Sequence, residues 1–378
     1  MTQSRKRTAI WARRSTVITA SLFAILSSHS AWAGCTGAEQ RLAEILNVAK
    51  TPDTLVLAHR GYWGNHAGTP SLPENSLGSI DTANSSCMDG IELDVKMSRD
   101  GVPILMHDFN LGRTTTIYKI VGGQKFDPMT GRGVNPRVAD VDMQVIDRLV
   151  LLTSDRRQES GFVVPRITQV LDVWRTRGMK TPLIFDIKTA DAVRAVDARV
   201  RDAGVGGFNA MAVKVNATLY PDPAGFFRDA KSLNPIPVYT TNMLGSISVA
   251  DSLEKWMRTV QTIEINVKQN NGLLSFQKQQ ALNAGKRVAV FNTIPDGPDG
   301  PVAGKFYQNT GACCYKLSDL FYVRRVMGMP AGRDTEDHRE ELPFLIQQGF
   351  GLITTDDPRG TVRFLARAGK RRVHLQDY

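Results

Sequence analysis

A (β/α)8 barrel is the fold this sequence predicts, and three observations predict it. Eight short runs rich in aliphatic and β-branched residues recur along the chain: "TLVLAHR", "GIELDVK", "PLIFDIK", "GFNAMAVKVNA", "PIPVYTTN", "QTIEINVK", "KRVAVFNT" and "GLITTD". Segments of helical periodicity lie between most of them, among them "ITQVLDVWRTRG", "ADAVRAVDARVRDAG", "LLSFQKQQALNAG" and "ELPFLIQQG". The turn after the first run, "AHRGYWGNHAGT", lacks the glycine spacing of a dinucleotide-binding loop, which argues against an open doubly wound sheet.

Taken in order, the chain begins with a basic head, Arg5, Lys6, Arg7, Arg13 and Arg14, followed by the apolar run "STVITASLFAILSS" and by "AWA" before Gly34. The run is short for a bilayer span, and the small residues suit cleavage, so residues 1–33 are expected to be an export signal. The mature chain, 34–378, is then expected in the periplasm or secreted. A lipid anchor on Cys35 is the lesser reading, because Trp32 occupies the position where an aliphatic residue is expected. The residues around Arg13 and Arg14 fit a twin-arginine signal poorly. Next, "GAEQRLAEILNVAKT" reads as a helix. Two stretches then break the β/α rhythm. Residues 109–164 are too long for a barrel loop and are read as an insertion on the catalytic face. Residues 295–337, rich in Gly and Pro, are read as a second excursion pinned by a disulfide.

The composition is that of a globular protein: 378 residues, 42% hydrophobic and 22% charged, enough for one barrel with a large core. Loss of the leader would lower the formal charge from +10 to about +5. That mild excess suits an anionic ligand or transient contact with an anionic membrane surface. No basic stripe points to nucleic acid. Oligomeric state is left open. The four cysteines, Cys35, Cys87, Cys313 and Cys314, allow up to two disulfides. Adjacent cysteines seldom pair, which favours Cys35 and Cys87 as the partners of Cys313 and Cys314, although three pairings exist.

The chemistry concentrates in "GIELDVKMSRDGVPILMHD". Alternate residues of a barrel strand point inward, and strand C-termini line the active face. Glu92 and Asp94 therefore share one inward face, as do Asp186 with Lys188 in "LIFDIK" and Glu264 with Asn266 in "TIEINVK". Convergent carboxylates inside a barrel are costly unless neutralised, and without cysteine ligands they make an oxygen-rich site suited to Mg²⁺ or Ca²⁺. His59 and His107 end two strands, where one imidazole can take a proton and the other give one. Arg60 and Lys188 can balance a phosphate's charge. A metal, two imidazoles and two cations at one mouth describe phosphodiester cleavage.

These residues resemble the glycerophosphodiester phosphodiesterase family, of the phospholipase C-like phosphodiesterase barrel superfamily. "HRG", "PENS", "GIELDVKMSRDGVPILMHD", "GRTT", "DIK", "VPRITQVLDVW" and "GFGLITTDDP" carry the resemblance, which spans nearly all the mature chain. It implies the barrel, an insertion after His-Asp, a divalent metal, and hydrolysis of glycerophosphodiesters to sn-glycerol 3-phosphate and an alcohol. It also implies His59 and His107 as the acid/base pair, Glu92, Asp94 and Asp186 as metal ligands, and Arg60 and Lys188 on the phosphate. Glu74 and Asn75 match the family's "EN" pair, implying site support. Two departures stand out: Asp186 replaces the usual glutamate, and Phe291 stands at the usual tryptophan. "FDIK" is similar to the sphingomyelinase D and venom phospholipase D group, so head-group cleavage of lysophospholipids is the alternative reaction.

Other residues read more plainly. Glu264 is either a supporting group or half of an ion pair with Lys214. His66 reads as a loop residue, and His338 and His374 as surface histidines. Tyr62 and Trp63 read either as a pocket rim for a choline-like group or as loop packing.

Overall fold

A computed structural model describes residues 35–69, 71–204, 207–296, 306–315, 334 and 336–372. The expected export signal and His374 lie outside these residues. Eight parallel strands close into a barrel, numbered here in chain order: β1 (Leu55–Ala58), β2 (Gly90–Met97), β3 (Leu183–Ile187), β4 (Met211–Asn216), β5 (Asn234–Tyr239), β6 (Thr262–Ile265), β7 (Arg287–Phe291) and β8 (Leu352–Thr355). β1 pairs with both β8 and β2, which completes the circle. Each strand coincides with one of the eight sequence runs, and the helices Ile167–Thr176, Ala190–Ala203, Ser275–Asn283 and Leu342–Gln347 coincide with the helical segments. Among the described residues, no helix is long and apolar enough to cross a membrane.

The barrel interior has two levels. The lower level is apolar, formed by Leu55, Leu57, Ile184, Ala212, Ile236, Ala289 and Leu352 with Leu42 and Ile45. Leu42 and Ile45 belong to the helix Ala38–Leu46, which closes this end of the barrel. Gly90 makes room for the seal, since a Cβ there would stand 2.6 Å from Leu57 and 2.7 Å from Ile184. The upper level is polar and forms the site. A larger apolar shell packs the strands' outer faces against the helices.

Residues 109–164 fold against the mouth around their own small core, which includes Leu111, Ile117, Met143, Ile146, Leu149 and Leu151. An antiparallel pair, Val150–Leu152 with Glu159–Val163, belongs to this unit. The described part of the second excursion is a hairpin, Phe306–Tyr307 with Cys313–Tyr315, lying over the insertion. Phe109 N donates to Asn309 O at 2.7 Å, Asn135 Nδ2 to Thr310 O at 2.9 Å, and Cys313 N to Pro128 O at 2.7 Å.

The cysteine pairing departs from expectation. Cys35 bonds to Cys87, and Cys313 bonds to its neighbour Cys314. The reason is topological: Cys35 and Cys87 precede elements at the sealed end of the barrel, whereas Cys313 and Cys314 lie at the mouth. Backbone hydrogen bonds, and no cross-link to the barrel, hold the hairpin down.

Candidate active site

Strand register assembles the acidic cluster. Asp94 on β2 pairs in register with Asp186 on β3, which pairs with Lys214 on β4. Neighbouring strands run about 4.8 Å apart, so side chains in register on one face must meet. One oxygen each of Glu92, Asp94 and Asp186 lies within 4.8 Å of the others. Burial, and then the Asp94 charge, push the Glu92 carboxyl up to about 7. Burial also opposes ionisation of Asp94, but His107, Arg60 and Lys96 hold its pKa below the usual range.

Two buried carboxylates and a half-buried third, all hard oxygen donors, with a proton that Glu92 retains near neutrality, fit a divalent cation. The nearest protein cations leave them undercompensated. Lys188 Nζ touches Asp186 at 2.6 Å, and Arg60 Nε stands 3.6 Å from Asp94. Glu264 lies outside this cluster. It forms an ion pair with Lys214 at 2.7 Å, and Asn266 Nδ2 donates to it at 2.9 Å.

Each of the two histidines is backed by an aspartate through Nδ1, which leaves Nε2 as the ring nitrogen not engaged by that aspartate. His59 Nδ1 lies 2.8 Å from Asp356 Oδ1, and His107 Nδ1 lies 2.8 Å from Asp108 Oδ1. The environments differ in sign. Burial disfavours the charged form of His59, but Asp356 outweighs it and raises the pKa above 6.5. For His107, burial and the Arg60 charge drive the pKa well below 6.5. Phe291 packs on His59 with ring centroids 4.7 Å apart.

The motif "PENS" divides its labour across three groups. Glu74 accepts from Arg60 at 3.2 Å and from Arg113 at 2.6 Å. Although burial opposes it, Arg113 and Arg60 bring its pKa down to about 2. Asn75 Nδ2 donates to Asp94 Oδ2 at 3.0 Å, and Asn75 Oδ1 accepts from Asp94 N at 3.0 Å. Ser76 caps the helix Leu77–Ser85 by accepting from Ser79 N. Arg60 and Asn75 both hold left-handed backbone, at φ 55° and 52°. A hydrogen bond from Asn75 N to Arg60 O fixes that turn.

Arg113, from "GRTT", closes the circuit. Its Nε donates to Asp108 Oδ2 at 2.6 Å, and its Nη2 to Asp108 Oδ1 at 3.0 Å. A continuous buried chain therefore runs from His107 through Asp108, Arg113 and Glu74 to Arg60. Asp356, Asp108 and Arg113 each sit within motifs quoted above, yet no local pattern gives their partners. Tyr62 and Trp63 do not rim the pocket: Tyr62 Oη donates to His66 O, and Trp63 Nε1 to His59 O. His66 is exposed, and His338 sits between Glu336 and Glu341 at the surface.

His59, Arg60, Glu92, Asp94, His107, Asp186 and Lys188 line one cavity of about 460 Å³, whose wall also includes Asn216, Thr240, Asn242 and Arg339. The glycerophosphoryl diester phosphodiesterase family model matches residues 59–302, from His59 through Asp296 and beyond. The chain belongs to this family. Its curated relatives include glycerophosphodiester phosphodiesterase 1 of Rattus norvegicus, 42% identical over 71 residues, which are 18% of this chain and 20% of that one. The glycerophosphodiester phosphodiesterase of Bacillus altitudinis is 37% identical over 76 residues, 20% of this chain and 29% of the relative. The chain thus spans between a fifth and a third of these relatives' length. Among solved structures, a glycerophosphoryl diester phosphodiesterase of Parabacteroides distasonis aligns with TM-score 0.56 at 15% identity, over 88% of this chain and 93% of that one. A Silicibacter pomeroyi structure aligns with TM-score 0.56 at 18% identity, over 87% and 98%. The likeness to these two structures is one of fold. Family membership agrees with the barrel and with the acidic cluster at its mouth.

Proposed function

We propose that this chain is a metal-dependent phosphodiesterase that hydrolyses glycerophosphodiesters to sn-glycerol 3-phosphate and an alcohol. One observation carries the reading: Glu92, Asp94 and Asp186 form a three-carboxylate cluster between two aspartate-backed imidazoles in a single cavity. Glu92, Asp94 and Asp186 would hold Mg²⁺ or Ca²⁺, which when bound supplies positive charge to polarise a phosphoryl oxygen. Arg60 and Lys188 add cationic donors for the phosphate, and Arg60 Nε is buried without a hydrogen-bond partner in the protein.

The protons follow from the electrostatics. His107, kept neutral, accepts a proton at Nε2 from the attacking hydroxyl or water. His59, whose pKa Asp356 raises, delivers one from Nε2 to the leaving alcohol oxygen. Glu74 and Asn75 hold Arg60 and Asp94 in place. The expected leader and the Cys35–Cys87 disulfide support action in an oxidising, exported location.

Phosphorus NMR of the purified protein with glycerophosphocholine, glycerophosphoethanolamine and glycerophosphoglycerol tests this. Glycerol 3-phosphate should appear with Mg²⁺ or Ca²⁺, cease with chelator, and be lost in His107→Ala. Lysophosphatidate or its cyclic form from lysophospholipid in place of glycerol 3-phosphate, a cyclic phosphate as sole product from the glycerophosphodiesters, or no turnover with any metal would each count against the proposal.

A further inference from the structure

We propose that Tyr307, on the hairpin between β7 and β8, is a positioning residue for His107, acting through Arg113. The inference rests on the phosphodiesterase reading above and concerns a segment that reading does not use. Tyr307 is buried at the cavity wall, with the Arg113 guanidinium carbon 5.0 Å from its ring centroid and that of Arg156 at 4.6 Å. One aromatic ring thus holds two cations. Its backbone is held as well, since Tyr307 N donates to Asp296 Oδ2 at 2.7 Å, and Asp296 Oδ1 stands 3.9 Å from Arg60 Nη1.

The same hairpin presses on the network a second time. Gly311 lies so close that a Cβ on it would fall 2.7 Å from Asp108 Oδ2 and 2.8 Å from Arg113 Cβ. Three hydrogen bonds tie the hairpin to the insertion, so its position over Arg113 is determined by more than the ring.

The physical consequence concerns the plane of Arg113. Two of its edges are bonded, one to Asp108 through Nε and Nη2 and one to Glu74 through Nη1 and Nη2, which leaves rocking out of that plane as its softest motion. The ring of Tyr307 covers a face, limits the rocking and keeps water from competing for Asp108. Asp108 in turn orients the His107 imidazole. Without the ring, His107 Nε2 loses its fixed direction toward the cavity, and small misplacements of an acid/base group are expensive in rate.

The test compares Tyr307→Leu, which keeps bulk but has no aromatic face, with Tyr307→Phe, which keeps the face. For glycerophosphodiester turnover with Mg²⁺, the leucine variant should lose roughly ten- to hundredfold in kcat with KM changed less than about threefold. The phenylalanine variant should retain most of the rate. Melting temperature and calorimetric Mg²⁺ affinity should match wild type in both. Gly311→Ala should lower kcat in the same way from the other side. Independently of turnover, ¹⁵N NMR should detect a slowly exchanging Arg113 Nε–H in wild type and Tyr307→Phe that is lost in Tyr307→Leu. Wild-type kcat in the leucine variant, a phenylalanine variant as impaired as leucine, or an unchanged Arg113 signal would each overturn the inference. A wild-type protein with no diester turnover would instead sink the phosphodiesterase reading, while the NMR comparison would still decide the role of Tyr307.

Discussion

His59 Nδ1 lies 2.8 Å from Oδ1 of Asp356, a residue 297 positions further along the chain. Barrel closure brings them together: β1 pairs with β8, and both residues lie just beyond the ends of these strands. Because Asp356 is what raises the His59 pKa against its burial, Asp356→Asn should let burial win and drop that pKa below 6.5. If protonated His59 is the acid, the rate falls as pH rises through its pKa. The alkaline limb of the pH–kcat profile at saturating metal should therefore move to lower pH in Asp356→Asn. On that limb the rate of the variant should fall below that of wild type, with the difference largest at the alkaline end. An alkaline limb in the same place as wild type would contradict the assignment.

Glu92 should make metal binding compete with a proton. Its carboxyl is pushed up to about 7, so below that pH the ion must displace a proton, and above it the site is already ionised. Affinity for Mg²⁺ or Ca²⁺ should rise with pH through about 7 and then level off. Calorimetry at pH 6 in buffers of different ionisation enthalpy should detect up to about one proton released per ion bound. A pH-independent affinity with no proton release would remove Glu92 from the ligand set.

Gly90 should tolerate no side chain. Its added Cβ would meet Leu57 and Ile184 at 2.6 and 2.7 Å, and Ile45 of the sealing helix at 3.2 Å. Gly90→Ala should cost about 1–3 kcal/mol of stability by overpacking. Chemical denaturation is the measurement, and a neutral result would mean the seal can give way by more than a methyl group.

The two disulfides should contribute unequally. Cys35–Cys87 has a sequence separation of 52, for which loop-closure entropy gives about 4 kcal/mol. The Cys35→Ser/Cys87→Ser double variant should lose stability on that scale. The Cys313→Ser/Cys314→Ser variant should lose far less, because that pair closes the shortest loop available. Equal losses in denaturant titrations would refute this.

The pattern of what could be read along the chain follows from range. The eight strands were legible because each is an apolar run bounded by polar turns, and Glu92 with Asp94 because alternation puts both on one face. Glu74 and Asn75 were legible as a motif, but which groups they hold was not. Asp356 reaches His59, and Tyr307 reaches Arg113, only through closure of the barrel and docking of its excursions, and Arg113 reaches Asp108 across five residues of irregular loop; no periodicity records any of these. Glu264 and Lys214 allow two readings in the sequence; they lie on β6 and β4, with β5 between, and meet inside the barrel as an ion pair at 2.7 Å. The cysteine pairing is not legible in the sequence, because adjacency disfavours a Cys313–Cys314 bond while the separation of the two pairs at opposite ends of the barrel is set only by the fold.

The helix Ala38–Leu46 under the barrel has a practical bearing. Cys35, just ahead of this helix, is tied to Cys87 at the underside of the barrel, away from the opening that His59 and His107 line. A bead, sensor chip or fusion partner attached there would hold the reactive face toward the flowing solution, so immobilised protein should keep free access to small diesters.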